Sequence, residues 1–349
     1  MAESEKRVPG VTIVDVFARD GLQTVLHETH LQVPTTSEKV AIIEQLDAAG
    51  VPQIEITGFV HPRVIPSLAD AEDVARVALA RPHHAVYRAL VPNLRGAERA
   101  MAAGVPKLVC LIVASETYNR LNSNMTVERN VQEIERIAQA GCAAGLEVSV
   151  GIGTSFICPY DGVLPEAHIL GLIERFVAAG ITEVSLADSV GLAWPTLVRE
   201  RVWAIASRWP HLTLGLHLHT LAGTAIANAF AAYEAGITHF EGAVGGIGGG
   251  IAMPVHTTNM GNVATEDLVY LFESCGVSTG IDRNAIARIG RDAQALIGTG
   301  NGFTTSFGTL ETFLAASNRE LDRVRAAPPG DSHLEQAHSV DTARSLPKS

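Results

Sequence analysis

Apolar residues cluster along this chain in eight short runs: Val11–Phe17, Gln53–Thr57, Ala85–Val91, Leu108–Val113, Glu147–Ile152, Glu183–Ala187, Leu212–Leu218 and His239–Ala243. Each has the length and β-branched content of a buried strand. Between them lie amphipathic patterns such as Thr126–Ala144 and Pro195–Arg208, whose apolar spacing suits a helix covering a sheet. An internal repeat joins the two kinds of segment. DAAGVPQIEI, MAAGVPKLVCL, CAAGLEVSV, VAAGITEVSL and YEAGITHFEG each end a helix at a glycine (Gly50, Gly104, Gly145, Gly180, Gly236) and pass into a β-rich run. A glycine there reads as the left-handed residue that stops a helix before the chain turns back.

Strands alternating with helices in this number predict an α/β fold, a (β/α)8 TIM barrel over residues 11–300 with extra C-terminal helices. A doubly wound open sheet is the alternative, disfavoured because RDGLQ follows the first strand where a glycine-rich phosphate turn would be needed. Helical patterns continue at Asn284–Leu296 and Leu310–Arg325. Residues 1–10 read as an N-terminal extension, 301–325 as a helical segment beside the barrel, and 326–349, rich in Pro, Ser and charge, as a disordered tail.

The chain has 349 residues, 47% hydrophobic and 18% charged, enough to bury a barrel-sized core. Lys and Arg number 26 against 37 acidic residues, a net charge of −11 with no basic block, which argues against nucleic acid as a partner. An anionic substrate then needs local positive charge from an arginine or a metal. Cys110, Cys142, Cys158 and Cys275 show no CxxC spacing and mostly sit in apolar runs, as reduced thiols do; Cys158, near a strand end, is the exception. The N-terminus lacks an apolar signal core and no run reaches membrane-spanning length, so a cytoplasmic protein without membrane attachment is expected.

The chemistry gathers at strand ends. A charged pair, Arg19-Asp20, follows the first buried strand, and such a pair is costly there unless a ligand or metal uses it. His217 and His219 end the seventh run, and alternation puts both imidazoles on one face. With Asp20 they supply three ligands of a divalent metal site. In a TIM barrel the strands' carboxyl ends form the active site, so Gln23, Glu55, Thr57 and Asp188 join the candidates. A His-x-His pair or an Arg-Asp dipeptide alone is more often a surface pair or a salt-bridged loop. Their occurrence together at one end of one barrel reverses that balance.

From Val11 to Gly300 the chain resembles the 3-hydroxy-3-methylglutaryl-CoA lyase branch of the metal-dependent TIM-barrel lyases, aldolases and synthases. The likeness is carried by RDGLQ, VPNLRGAERAMAAG, ASETYNRLNSNMT, CPYDG, VSLADSVGLAWP, HLH and GNVATEDLVYLFESCGV. The resemblance implies Mg²⁺ or Mn²⁺, with Zn²⁺ less suited, held by Asp20, His217, His219 and Asn262. It implies carbon–carbon cleavage through an enolate, with Arg19 stabilising the negative charge and His217 doubling as ligand and proton relay. Glu55, Asp188 and Glu266 are then expected to orient substrate or the groups behind the ligands, and Gln23 to bind substrate and fix the ligand loop; helix capping or dipole compensation is an equal reading of Glu266.

Three features depart from that branch. Its Gly-Gly-Cys-Pro loop is replaced by GGIGGGIAMPVHTTNMGN, with Gly250 or Met253 where the thiol would stand. RDGLQ continues as Thr24-Val25-Leu26-His27 in place of Asn-Glu and a nearby Lys, and Thr220 replaces the Asp after His-x-His. These losses imply a retained metal-enolate core with a changed substrate, and His256 as the loop residue able to replace the thiol as acid or base. The expected function is a metal-dependent lyase of a 3-hydroxyacyl-CoA that handles 3-hydroxy-3-methylglutaryl-CoA poorly and prefers a different, bulkier or aromatic substrate. An aldolase acting on a hydroxy-oxo acid, a Claisen-type condensing synthase and a non-catalytic barrel scaffold are the alternatives, the last opposed by retention of the metal set. A homo-oligomer, a dimer, is the expected assembly.

Overall fold

All the expected strands form, and they close on themselves. In chain order they are β1 (Thr12–Asp15), β2 (Gln53–Gly58), β3 (Val86–Leu90), β4 (Lys107–Val113) and β5 (Glu147–Gly153), then, past a short hairpin of β6 (Ile157–Cys158) and β7 (Gly162–Val163), β8 (Glu183–Asp188), β9 (Thr213–Leu218) and β10 (His239–Gly242). Their lateral order is β1-β10-β9-β8-β5-β4-β3-β2, a closed barrel in which every pairing is parallel. This is the (β/α)8 barrel that the repeat predicts, and the open-sheet alternative is excluded. The computed structural model describes residues 10–25, 31–250 and 261–303, and beyond them 314–315, 317–319 and 322. No helix among the described residues is long and apolar enough to cross a membrane.

The helices follow the caps written in the sequence. Thr35 closes a capping box with Glu38 at the start of α1 (Thr36–Ala48). Between β2 and β5 lie α2 (Ala71–Leu79), α3 (Leu94–Ala102), capped by Asn93, α4 (Glu116–Ser123), capped by Ser115, and α5 (Val127–Ala143), capped by Thr126. The series continues with α6 (Glu166–Ala178), α7 (Pro195–Arg208), α8 (Ala225–Glu234), α9 (Thr265–Ser274) and α10 (Arg283–Ile297). Each of the five repeat glycines has a positive φ, 90° at Gly50 for example, so each does stop its helix in the left-handed region.

Alternation along the strands sorts the interior into two unlike layers. Ile54, Ile56, Ile112, Ile152, Leu186 and Leu216 face the helices and join Ile43, Ile137, Phe176 and Ile205 in the apolar core. The opposite parity faces the barrel axis and is largely polar. Register sets Gln53 and Glu55 beside Val86 and Arg88, Lys107 beside Glu147, and His217 beside Glu241. Near the strand starts the Lys107 amine is 2.6 Å from Glu183 and 3.3 Å from Gln53, closing that end with a polar plug.

The first strand stops sooner than its apolar run predicts. After Asp15 the chain turns into one π-helical turn, Phe17–Gly21, closed by the Gly21 N–H donating to the Val16 carbonyl at 3.1 Å. Asp15 drives the change: its carboxylate accepts from the backbone N–H of Phe17 and Val244, each at 2.9 Å, and from the Thr265 hydroxyl at 2.6 Å.

Burial raises the Asp15 carboxyl from 3.8 to about 6 against those three hydrogen bonds. A folded-state pKa above the unfolded one gives stability that is complete below about pH 4 and lost as pH rises through about 6, worth about 3 kcal/mol for two units. Thermal melts between about pH 4 and pH 7 should therefore show the parent losing ground relative to Asp15→Asn across this window. A pH-independent difference would remove the assignment.

Candidate active site and metal centre

The π-helical turn after β1 delivers Arg19, Asp20 and Gln23 to the carboxyl end of the barrel, where β9 delivers His217 and His219. All five line one cavity of about 460 Å³. Its floor is made of small inward residues, Gly151, Gly153, Ser185 and Ala187, which leave the space that larger barrel side chains would fill. One wall runs from Tyr118 through Leu121 to Met125. Ser115, Asn119 and Thr126 build that wall: Asn119 accepts from the Val113 N–H at 3.1 Å and donates to the Met125 carbonyl at 3.0 Å.

Asp20, His217 and His219 each offer a ligand atom, all within 4.8 Å of one another and all buried. The imidazole Nε2 atoms stand 3.1 Å apart. His217 Nδ1 lies 2.9 Å from Glu241 Oε2, so Nδ1–H donates to the carboxylate and the Nε2 lone pair turns toward the group. Asn262 Nδ2 donates to Asp20 Oδ2 and to the Ile247 carbonyl, both at 2.8 Å, which leaves its buried Oδ1 without a hydrogen-bond partner. Gln23 holds the other oxygen of Asp20 at 2.8 Å and also reaches the Gly249 carbonyl. Gly248 closes the loop at φ 111°, where a Cβ would fall 2.5 Å from Asn262 Nδ2, so only glycine fits. Two imidazoles, a carboxylate and an orphaned amide oxygen form a donor set that suits a divalent cation.

The electrostatics agree. Burial alone would raise the Asp20 carboxyl, but Arg19, His217, His219 and the Asn262 hydrogen bond outweigh it and hold Asp20 below the usual carboxylate range. Burial pulls His217 down, while the Glu241 hydrogen bond and the Asp20 charge pull it up and win. Arg19 is tied through Nε to Glu55 and through Nη1 to Asp20.

Glu55, Asp188 and Glu266 are not among the residues that line the cavity. Glu55 is fully buried between Arg19 and Arg88. Asp188 accepts from the Leu192 and Ala193 N–H groups, and burial lifts it to about 6. Glu266 accepts from the Gly245 N–H, at 3.1 Å through Oε1, and burial raises it well above the usual value. These two carboxyls brace loops beside the site. His256 and Met253 lie outside the described residues. Cys110 and Cys158 are buried and Cys142 and Cys275 exposed, all as free thiols; burial pushes the Cys110 thiol up to about 12. Sequence reasoning missed Glu241 and Arg88. Their signal was a charge at inward parity inside an apolar strand.

A family model described as HMGL-like matches residues 10–292. The chain is 42% identical over 305 residues to a (R)-citramalyl-CoA lyase of Chloroflexus aurantiacus, covering 82% of this chain and 94% of the relative. It is 38% identical over 271 residues to a hydroxymethylglutaryl-CoA lyase of Bacillus subtilis, covering 78% and 88%. A solved HMG-CoA lyase of Acinetobacter baumannii, in complex with coenzyme A and 3-methylmalate, superposes with a TM-score of 0.79 at 33% identity, over 89% of this chain and 98% of that one.

His219→Ala removes one imidazole of the set. Calorimetric titration of Mn²⁺ should show affinity lower by about tenfold to a hundredfold or more, since even outer-shell losses cost that much. Unchanged affinity would refute the site.

Proposed function

The chain belongs to the HMGL-like family, and from that premise we propose that it cleaves the bond between C2 and C3 of a 3-hydroxyacyl-CoA. The observation that carries this reading is the convergence, in one cavity, of Arg19 with the Asp20, His217 and His219 cluster. A divalent cation, Mg²⁺ or Mn²⁺, held by Asp20, His217, His219 and Asn262 supplies the Lewis acidity that makes the substrate hydroxyl easier to deprotonate. His217 serves one role at a time: while Nε2 holds the cation it is a ligand, and with Nε2 released it would take the hydroxyl proton there, Glu241 on Nδ1 stabilising the imidazolium that results. As the hydroxyl becomes a carbonyl, the C2–C3 electron pair moves to the thioester and forms an enolate. Arg19 has committed Nε and Nη1 to Glu55 and Asp20, and its remaining N–H groups are those that meet the enolate oxygen. Protonation at C2 then releases the acyl-CoA fragment.

The substrate differs from the branch's usual one. One relative named above acts on citramalyl-CoA and another on hydroxymethylglutaryl-CoA, and this chain lacks the loop cysteine and the Asn-Glu-Lys continuation. The reading is therefore a poor 3-hydroxy-3-methylglutaryl-CoA lyase with a better 3-hydroxyacyl-CoA substrate. His256 is the candidate loop acid.

A panel of 3-hydroxyacyl-CoA thioesters and 4-hydroxy-2-oxo acids with Mg²⁺ and Mn²⁺ should find a thioester cleaved with kcat/KM of about 10⁴ M⁻¹s⁻¹ or more. Chelation should abolish that turnover and either cation restore it. Cleavage of oxo acids alone would overturn the thioester assignment, and 3-hydroxy-3-methylglutaryl-CoA as the best substrate would overturn the specificity reading.

Arg19→Lys keeps the charge and loses the fork. It should retain Mn²⁺ binding and lose turnover by roughly a hundredfold or more. Parental turnover would withdraw its role.

A further inference from the structure

Below the metal cluster, Arg88 crosses the inside of the barrel. It stands on β3, yet its Nη2 is 2.7 Å from Glu241 on β10, three strands away around the wall. The same nitrogen makes an ion contact of 3.0 Å, outside hydrogen-bond alignment, with Glu55 Oε2 on β2, and Nη1 is 3.8 Å from Glu183. The side chain is 2% exposed, among the largest fully enclosed in the protein. Two of these carboxylates, Glu55 and Glu241, pass their other oxygens to active-site groups. Glu55 holds Arg19 Nε, and Glu241 Oε2 is 2.9 Å from His217 Nδ1.

We propose that Arg88 is a positioning residue whose single Nη2 fixes Glu55 and Glu241 together, and so sets the orientation of both Arg19 and His217 from one point beneath the cavity. This rests on the lyase reading for its effect on turnover and on the ligand set for its effect on metal. Without Arg88, two buried carboxylates face each other with no cation between them. They repel, turn apart, and carry Arg19 and His217 away from the geometry in which a fraction of an ångström decides rate. Lysine keeps the charge, but its shorter, unforked head cannot hold both oxygens where the guanidinium does. A merely space-filling Arg88 would give a different result: lower stability with an unaltered site.

The test compares Arg88→Lys and Arg88→Gln with the parent by thermal melting, by Mn²⁺ titration without substrate, and by steady-state kinetics on the thioester that the panel selects. The Lys variant should show Mn²⁺ affinity and kcat each lower by about tenfold to a hundredfold, with KM within about threefold, and the Gln variant should be worse on both. Should Arg88→Gln fail to fold, Arg88→Lys, which keeps the buried positive charge, carries the test alone. Lower melting temperature with parental Mn²⁺ affinity and kcat, in any folded variant, overturns the proposal. Because Mn²⁺ affinity is read without substrate, a parent that cleaves nothing sinks the lyase reading and leaves the positioning of His217 measurable.

Discussion

Buried charge inside the barrel is the constraint on which the rest of this structure depends. Arg19, Asp20, Glu55, Arg88 and Glu241 are all almost wholly enclosed, and none is tolerable there alone. They are tolerable together because each has opposite charge within contact, in a chain from Asp20 through Arg19, Glu55 and Arg88 to Glu241 and His217. Many barrels fill this space with branched apolar side chains. Here the filling is ionic, and it ends at the atoms that do chemistry.

That arrangement divides labour between the two faces of each strand. The outward face supplies hydrophobic free energy through residues such as Ile54, Ile152 and Leu216. The inward face is released from that task and holds charge at one level, small residues at another and imidazoles at the top. Loops complete the site only where the frame already holds them. Asp15 ends β1 and starts the turn that presents Arg19 and Asp20, and the Asn262 amide joins Asp20 to the Ile247 carbonyl of the loop after β10.

The kept and altered parts of the site fall in different places. Arg19 and Asp20 stand on the turn after β1, and His217 and His219 at the end of β9. The departures fall in other stretches of the sequence, from Gly248 onward and after Gln23. Change is expected away from the frame, because interlocked charges accept few single substitutions, whereas connecting segments vary more freely.

The sequence by itself determined the barrel, because periodicity, helix caps and the recurring glycine are local signals, and a chain that repeats strand, helix and stop has few ways to bury its apolar faces. It also determined Asp20, His217, His219 and Arg19, because strand ends in a barrel share one rim. Tertiary structure alone decided how those residues are held. Arg88 meets Glu241 across the barrel, 153 positions apart in the chain, and no local pattern specifies that pairing. The same holds for Glu55, Asp188 and Glu266. Their positions in the chain suggested that they orient substrate or neighbouring groups, and which groups a buried carboxylate meets depends on the donors that closure of the barrel brings to it, here an arginine pair and backbone N–H groups.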